Sequence, residues 1–294
     1  MRFSIAGMTL NVKGLERLPT SWRNYEPFIA TADDGQAKTI CEMECGHCPW
    51  DADGEPAVSN AFDGKTLRLW VKPDGIAVSL RFHGDDATYH LRANRDWSEV
   101  KTDCLPTTGL GCLALGDFLM ISFIYSSAYH DTVLVHGSCV RLGDASALFI
   151  GPSGVGKSTH SRLWTQHVKG AELLNDDQPA LRVLPDGKVY VYGTPWSGKT
   201  PCYINGGARL KAVFRMAQAA ANKAVFLDGA NSFCALLDMT SLIKADISTF
   251  SKISDTVARV AEKVGVCVLY NLPDKAAVET SYGIFNSDNH CADV

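Results

Sequence analysis

The sequence predicts an α/β protein: a mainly parallel or mixed sheet flanked by helices, preceded by a β-rich N-terminal region. Three observations carry that expectation. The first hundred residues alternate apolar and polar positions between turn signals, short apolar strands alternate with helical periodicity from Thr132 onward, and a glycine-rich segment at 151–158 sits between such a strand and such a helix.

Taken in order, Met1-Arg2-Phe3-Ser4-Ile5 opens an alternating stretch with neither a secretory apolar core nor a cleavage site. Thr66–Val71 and Ile76–Phe82 alternate on either side of Pro73-Asp74-Gly75, the pattern of a hairpin, and Thr88–Arg92 adds a further strand. His83-Gly84-Asp85-Asp86 groups a histidine with two carboxylates but has no phosphate-binding loop beside it, so it reads as a hairpin turn. Leu105-Pro106-Thr107-Thr108-Gly109 punctuates the chain, dividing a β-rich region over 1–105 from a second domain over 106–294. An apolar helix is expected over Cys112–Ser127.

Beyond it, Val133–Val140 is a β-branched run, Leu142-Gly143-Asp144 a turn, and Ala147–Ile150 a wholly apolar strand. Leu163, Trp164 and His167 to Val168 follow helical periodicity that Gly170 stops. Leu173-Leu174, Val189–Tyr192, Ala212–Met216 and Val266–Tyr270 read as strands. Ile253, Val257, Val260 and Val264 line one face of a helix.

Composition narrows the function classes. Among 294 residues, 46% are apolar and 20% charged, which is ordinary globular usage, and the net charge is −4. The first 130 residues carry net −5 and the remainder +1, so neither part has the basic excess that would neutralise a phosphate backbone, and nucleic acid is excluded as a partner. No uninterrupted apolar run approaches the roughly 18 residues of a membrane span, so no membrane partner is expected and the location expected is cytoplasmic. Ten scattered cysteines without an export signal are expected to be thiols rather than disulfides. Cys41, Cys45 and Cys48 have the C-x₃-C-x₂-C spacing of an iron–sulfur site, and with His47 could hold zinc. Strands and a glycine loop follow them instead of repeated βα units, no second tight ligand pair exists, and Asp33–Glu55 holds seven acids against one lysine, so plain thiols are the favoured reading.

Gly151-Pro152-Ser153-Gly154-Val155-Gly156-Lys157-Ser158 fits the Walker A pattern, with Thr159 next in the helix. A peptide N–H reaches a phosphate only where no side chain intervenes. Glycines at 151, 154 and 156 let the backbone curl with its amides inward, and the helix N-terminus adds a positive dipole end. Lys157 supplies a mobile charge for the β- and γ-phosphates, and Ser158 a hydroxyl for Mg²⁺. Leu173-Leu174 leads into Asn175-Asp176-Asp177, where one carboxylate can hold Mg²⁺ and the other act as a base; both can serve only if the strand has ended there, because neighbours on a strand face opposite ways. His136-Gly137 interrupts an apolar run, and its ring needs a partner that a neighbouring carboxylate would supply.

A histidine–glycine strand before the loop, the loop itself and an apolar strand ending in two aspartates together resemble the bacterial HPr kinase/phosphorylase family, which shares its core with phosphoenolpyruvate carboxykinases. The resemblance covers roughly Val133–Phe214 and is closest to the divergent HPr-kinase-like proteins. It implies that Lys157 binds phosphates, Ser158 binds Mg²⁺, Asp177 takes the proton from a serine hydroxyl and His136 assists. The family's acidic Mg²⁺ ligand has no counterpart in Val191–Lys199, which leaves Asp176 for that role, and the arginine-rich segment linked to phosphate removal is missing. Gly193-Thr194-Pro195-Trp196-Ser197-Gly198-Lys199 is a rigid turn carrying an aromatic and a cation, suited to closing over ATP or holding an acceptor chain, with Lys199 placed to neutralise charge on the γ-phosphate. Asn222-Lys223 lacks the aspartate two residues later that guanine readers use, which favours ATP.

The expectation is an ATP- and Mg²⁺-dependent kinase acting on a serine or similar hydroxyl of a protein or peptide. Alternatives are a small-molecule kinase of the same superfamily or a non-catalytic ATP-binding adaptor. The N-terminal region would present the acceptor, its acidic Asp51-Ala52-Asp53 stretch being suited to a basic peptide, and self-association is left open.

Overall fold

The computed structural model describes residues 1–31, 37–106, 109–198 and 200–287. The chain divides into two compact units, Met1–His130 with Leu242–Ser251, and Asp131–Ser241 with Lys252–Val294. Both units combine sheet and helix, so the α/β class holds, with mixed sheets.

The first unit is built on eight strands: β1 (Arg2–Ile5), β2 (Met8–Lys13), β3 (Lys38–Cys45), β4 (Val58–Phe62), β5 (Lys65–Lys72), β6 (Gly75–Phe82), β7 (Thr88–Asn94) and β8 (Glu99–Thr102). They lie in the order β1-β2-β3-β8-β7-β6-β5-β4, with β3 parallel to both neighbours and the rest antiparallel. The expected hairpin is β5–β6, and His83–Asp86 is the turn leading to β7. Helix α1 (Gly109–Ala128) packs on β3 and β7, and so belongs with the N-terminal sheet. The first stretch of this unit therefore runs to His130, past residue 105, and Leu242–Ser251 belongs with it. By length and composition α1 could cross a membrane; 61% of its most apolar window is buried inside the protein. Its single charge, Asp117, meets Lys65 on β5 at 2.7 Å; burial raises the Asp117 carboxyl and the lysine opposes that shift.

Cys41 is sealed within β3, Cys45 ends the strand, and Cys48 follows in the loop. Burial pushes the Cys41 and Cys48 thiols up to about 12 and Cys45 to about 11. Among the described residues no group of three potential ligands is arranged to hold a metal, and nine cysteines are free thiols.

The second unit contains β9 (Thr132–Leu134), β10 (Gly137–Leu142), β11 (Ala145–Ile150), α2 (Lys157–His167), β12 (Ala171–Asp177), β13 (Ala180–Val183), β14 (Val189–Tyr192), β15 (Gly207–Gln218), β16 (Lys223–Phe226), α3 (Gly229–Leu237), the end of α4 (Ile247–Lys263), β17 (Gly265–Asn271) and α5 (Lys275–Asn286). Its sheet runs β12-β10-β11-β15-β14-β13-β9, with β17 also on β15 and β16 beyond it. Among the described pairings only β11–β15 and β15–β17 are parallel, so the mainly parallel alternative fails. The cause is local. Gly143-Asp144 is a two-residue link with Gly143 at φ +58°, and a link that short joins only antiparallel strands.

Two further expectations are corrected. Val133–Val140 is not one strand: β9 pairs with β13, the chain breaks at Val135-His136, and β10 pairs with β11 and β12. The strand ends in Asp176 and Asp177 as expected, but the pair is still within β12, in register with Ser138 and Gly137, so the condition that the strand be over before both could serve on one side is not met. The helices close a core in which Phe149 stacks on Phe214 and meets Trp164 edge-on, with Phe285 of α5 on the far side of the indole.

Candidate functional site

Strand direction brings the candidate residues together. Strand β10 begins at Gly137, which lies between Ile150, the last residue of β11, and Asp177, the last residue of β12. His136 precedes that glycine and Gly151 follows Ile150, so histidine, loop and carboxylate all emerge at one edge of the sheet. A Cβ on Gly137 would lie 3.0 Å from both the Phe149 carbonyl oxygen and Leu148 Cδ1, which explains why the residue beside the histidine has no side chain.

The loop has the expected backbone. Gly151, Gly154 and Gly156 adopt φ of +141°, +81° and +109°, and Gly156 caps α2 without any side chain bonding to the helix's first amides. Pro152, Ser153, Gly154 and Ser158 are exposed, and Val155, Gly156 and Thr159 are half-buried.

Lys157 is 9% exposed and folds back over the loop. Its ammonium donates to the carbonyls of Gly151 (2.8 Å) and Pro152 (3.2 Å) and approaches His136 Nε2 at 3.1 Å. On the other side of the ring, His136 Nδ1 lies 3.1 Å from Asp177 Oδ1. An ammonium has only hydrogens to give, so Nε2 accepts and the ring hydrogen sits on Nδ1, donating to the carboxylate. Burial lowers the Lys157 pKa, while the charges of Asp177 and Asp176 counteract that fall. Lys157, His136 and Asp177 thus form one continuous chain of polar contacts.

Asp176 turns the other way, as alternation along β12 requires. It is 6% exposed and shares a cavity of about 300 Å³ with Ser158, Arg162 and Thr200. The two aspartates therefore divide their roles by facing: Asp177 toward the histidine, Asp176 toward the serine at the helix start.

The segment after β14 is fixed rather than free. Asn175 Nδ2 donates to the backbone oxygens of Thr194 and Trp196 and to Thr194 Oγ1, and Thr194 Oγ1 donates to the Gln178 carbonyl. Gly198 N–H donates to Asp176 O at 2.7 Å, and Ser197 bridges to Asp177. A Cβ on Gly193 would sit 2.0 Å from Ile204 O. Trp196 is 9% exposed, so its indole packs inward and is not presented as a clamp. Lys199 lies outside the described residues. Asn175 and Thr194 are the residues that sequence reasoning missed. The polar side chain directly before the aspartate pair was their only trace.

No family model matches this sequence, and no curated protein matches it.

Proposed function

We propose that this chain is an ATP-dependent kinase that transfers the γ-phosphate to a serine or similar hydroxyl of a protein or peptide, as its resemblance to HPr kinases implies. The supporting observation is the contact chain Lys157–His136–Asp177 beside a loop of three left-handed glycines at an uncapped helix start. The residues fit a triphosphate. The space beside Gly154 and Gly156 is open, and the Lys157 ammonium, held by loop carbonyls, is within the loop it would share with the phosphates. Mg²⁺ fits Ser158 and Asp176, which line one cavity, and when bound it would neutralise charge on the phosphate oxygens.

In the reaction, the acceptor oxygen bonds to the γ-phosphorus as the bond from that phosphorus to the ADP oxygen breaks. The hydroxyl proton passes to Asp177. His136 Nδ1–H holds one Asp177 oxygen, which leaves the other to take the proton and fixes its direction. The loop amides and Lys157 carry the developing charge, so the protein contributes mainly positioning and electrostatics.

Labelled ATP with Mg²⁺ and hydroxyl-bearing peptides tests the proposal. Asp177→Asn keeps the shape and removes the base, so ATP binding should persist while transfer falls by on the order of 10²-fold or more. Undiminished transfer overturns Asp177 as base. One observation favours a second reading, an ATP-binding adaptor: no carboxylate stands in 193–198 to supplement Asp176. Binding without transfer to any peptide or metabolite would support it, and transfer to a metabolite alone would favour a small-molecule kinase.

A further inference from the structure

Within the first unit, a cavity of about 380 Å³ opens on the sheet and is lined by Thr66, Arg68, Ser79, Arg81, His83 and Thr88. Strand register explains how these residues meet. Arg68 of β5 stands opposite Ser79 of β6, and Arg81 stands between Thr66 of β5 and Thr88 of β7. Residues directly opposite share a face, so two arginines and three hydroxyls project to one side. Lys65 and Leu69 take the alternate face, where Lys65 meets Asp117 of α1 and Leu69 is buried. The turn over His83–Asp86 supplies the rim: His83 Nε2 lies 2.9 Å from Thr66 Oγ1, and Arg81 Nε donates to the Asp85 carbonyl at 3.1 Å.

The positive charge here is poorly answered. Arg68 is exposed, and its side chain has no hydrogen bond or ion pair with any described residue. Arg81 reaches Asp86 only at 3.5 Å, and that carboxylate is fully solvated, so the pair contributes little. The other acid of the turn, Asp85, accepts from the Ala87 N–H at 2.7 Å. Asp51, the acid that the sequence offers to a basic peptide, is held by Arg92 at 3.0 Å. The unanswered charge at this place is therefore positive, and guanidinium groups flanked by hydroxyls are donors for oxyanions.

We propose that this cavity binds an acidic peptide segment in extended conformation, with carboxylates from alternate residues meeting Arg68 and Arg81. The spacing carries the choice of ligand. Arg68 and Arg81 are diagonal neighbours on the ladder, about 7–8 Å apart along the backbone positions, and side chains at i and i+2 of an extended chain stand about 6.4–6.8 Å apart on one face. A long polyanion such as nucleic acid is disfavoured, because the first 130 residues carry net −5 and repel whatever extends beyond the cavity. The inference does not depend on phosphate transfer by the second unit.

Fluorescence anisotropy with the full chain at low salt tests it, the probe being a short labelled peptide of alternating Glu and Thr. That peptide should bind at least about tenfold more tightly than its Gln–Thr counterpart, and more tightly than a peptide of equal composition whose glutamates come in adjacent pairs. Arg68→Glu and Arg81→Glu should each weaken binding about tenfold or more, Arg68→Lys should keep part of the affinity, and added salt should lower it. Both arginines are exposed, so these variants report on binding, and the comparison among peptides needs no variant at all. Equal binding of the Glu and Gln peptides, binding of neither, or full affinity in Arg68→Glu would overturn the site. Equal affinity for the paired-glutamate peptide would overturn the match of spacing on which the choice of ligand rests. Inorganic tripolyphosphate displacing the probe at lower concentration than unlabelled Glu–Thr peptide would assign the cavity to phosphate groups and overturn the peptide.

Discussion

His160 should make the second unit sensitive to mild acid, and the size of the effect follows from its surroundings. The ring is 1% exposed, packs edge-on against Phe149 at 4.8 Å, and has its pKa lowered from 6.5 to about 4 by burial alone. In the unfolded chain the same ring takes up a proton near pH 6.5. Between pH 6.5 and 4 the unfolded state therefore binds a proton that the folded state refuses, and stability falls as the pH falls. The contribution is fully present above 6.5, is lost across that window, and stops changing below about 4, where the folded ring also charges. At about 1.4 kcal/mol per unit, a shift of about 2.5 units amounts to roughly 3 kcal/mol, a large part of the 5–15 kcal/mol that holds a typical domain together.

Carboxylates titrate in the same range, so the experiment is a difference. Urea midpoints of the wild type and of His160→Gln, measured from pH 7.5 to 4, isolate the histidine. The variant loses the ring's contact with Ser281 Oγ and should be less stable at pH 7.5, but the two curves should converge by roughly 3 kcal/mol on acidification. Curves that stay parallel would refute the assignment of a buried neutral ring.

Two more predictions concern the site's frame and the thiols. Gly193→Ala places a methyl 2.0 Å from a backbone oxygen that has no freedom to swing aside, so the urea midpoint should drop by the equivalent of about 2–4 kcal/mol; an unchanged midpoint would show that the 193–198 segment is not held as described. With iodoacetamide at pH 8, exposed Cys234 should be modified well before Cys41, whose buried thiol is pushed up to about 12, and peptide mass spectrometry that finds Cys41 labelled first would contradict its burial in β3.

The parts of the site that were legible in the sequence are those governed by local chemistry. Glycine at 151, 154 and 156 specifies a backbone conformation, and all three adopt positive φ. The β5–β6 hairpin and β14 follow from two-residue periodicity and turn residues. What was illegible depends on partners distant in the chain. Nothing in Val133–Val140 signals that Val135 N–H is taken by Pro179 O and His136 N–H by Met239 O, which pulls the run off one strand position and onto another. Apolar periodicity reports burial and does not report which neighbour a strand will have. The strand ending in Asp176-Asp177 was legible, but that the pair stays extended was not: two aspartates are poor strand formers, and pairing with Gly137 and Ser138 keeps them in β12.

That extension has a chemical consequence. Had the strand ended at Leu174, both aspartates could have turned to the same side, competing for one metal or one hydroxyl. Held in β12, they are forced apart by the two-residue period, so Asp177 reaches the histidine while Asp176 faces Ser158. The same ladder that fixes the carboxylates fixes His136, because Gly137 is hydrogen-bonded into both edges of the arrangement. Lys157 enters from the third side, on the first residue of α2, and its charge is balanced by the two carboxylates from opposite faces. Two different surroundings are obtained here from consecutive residues of one strand. Exchanging Asn175 with Asp176 would turn an amide toward the helix start and a carboxylate toward the Thr194 carbonyl that Asn175 now donates to.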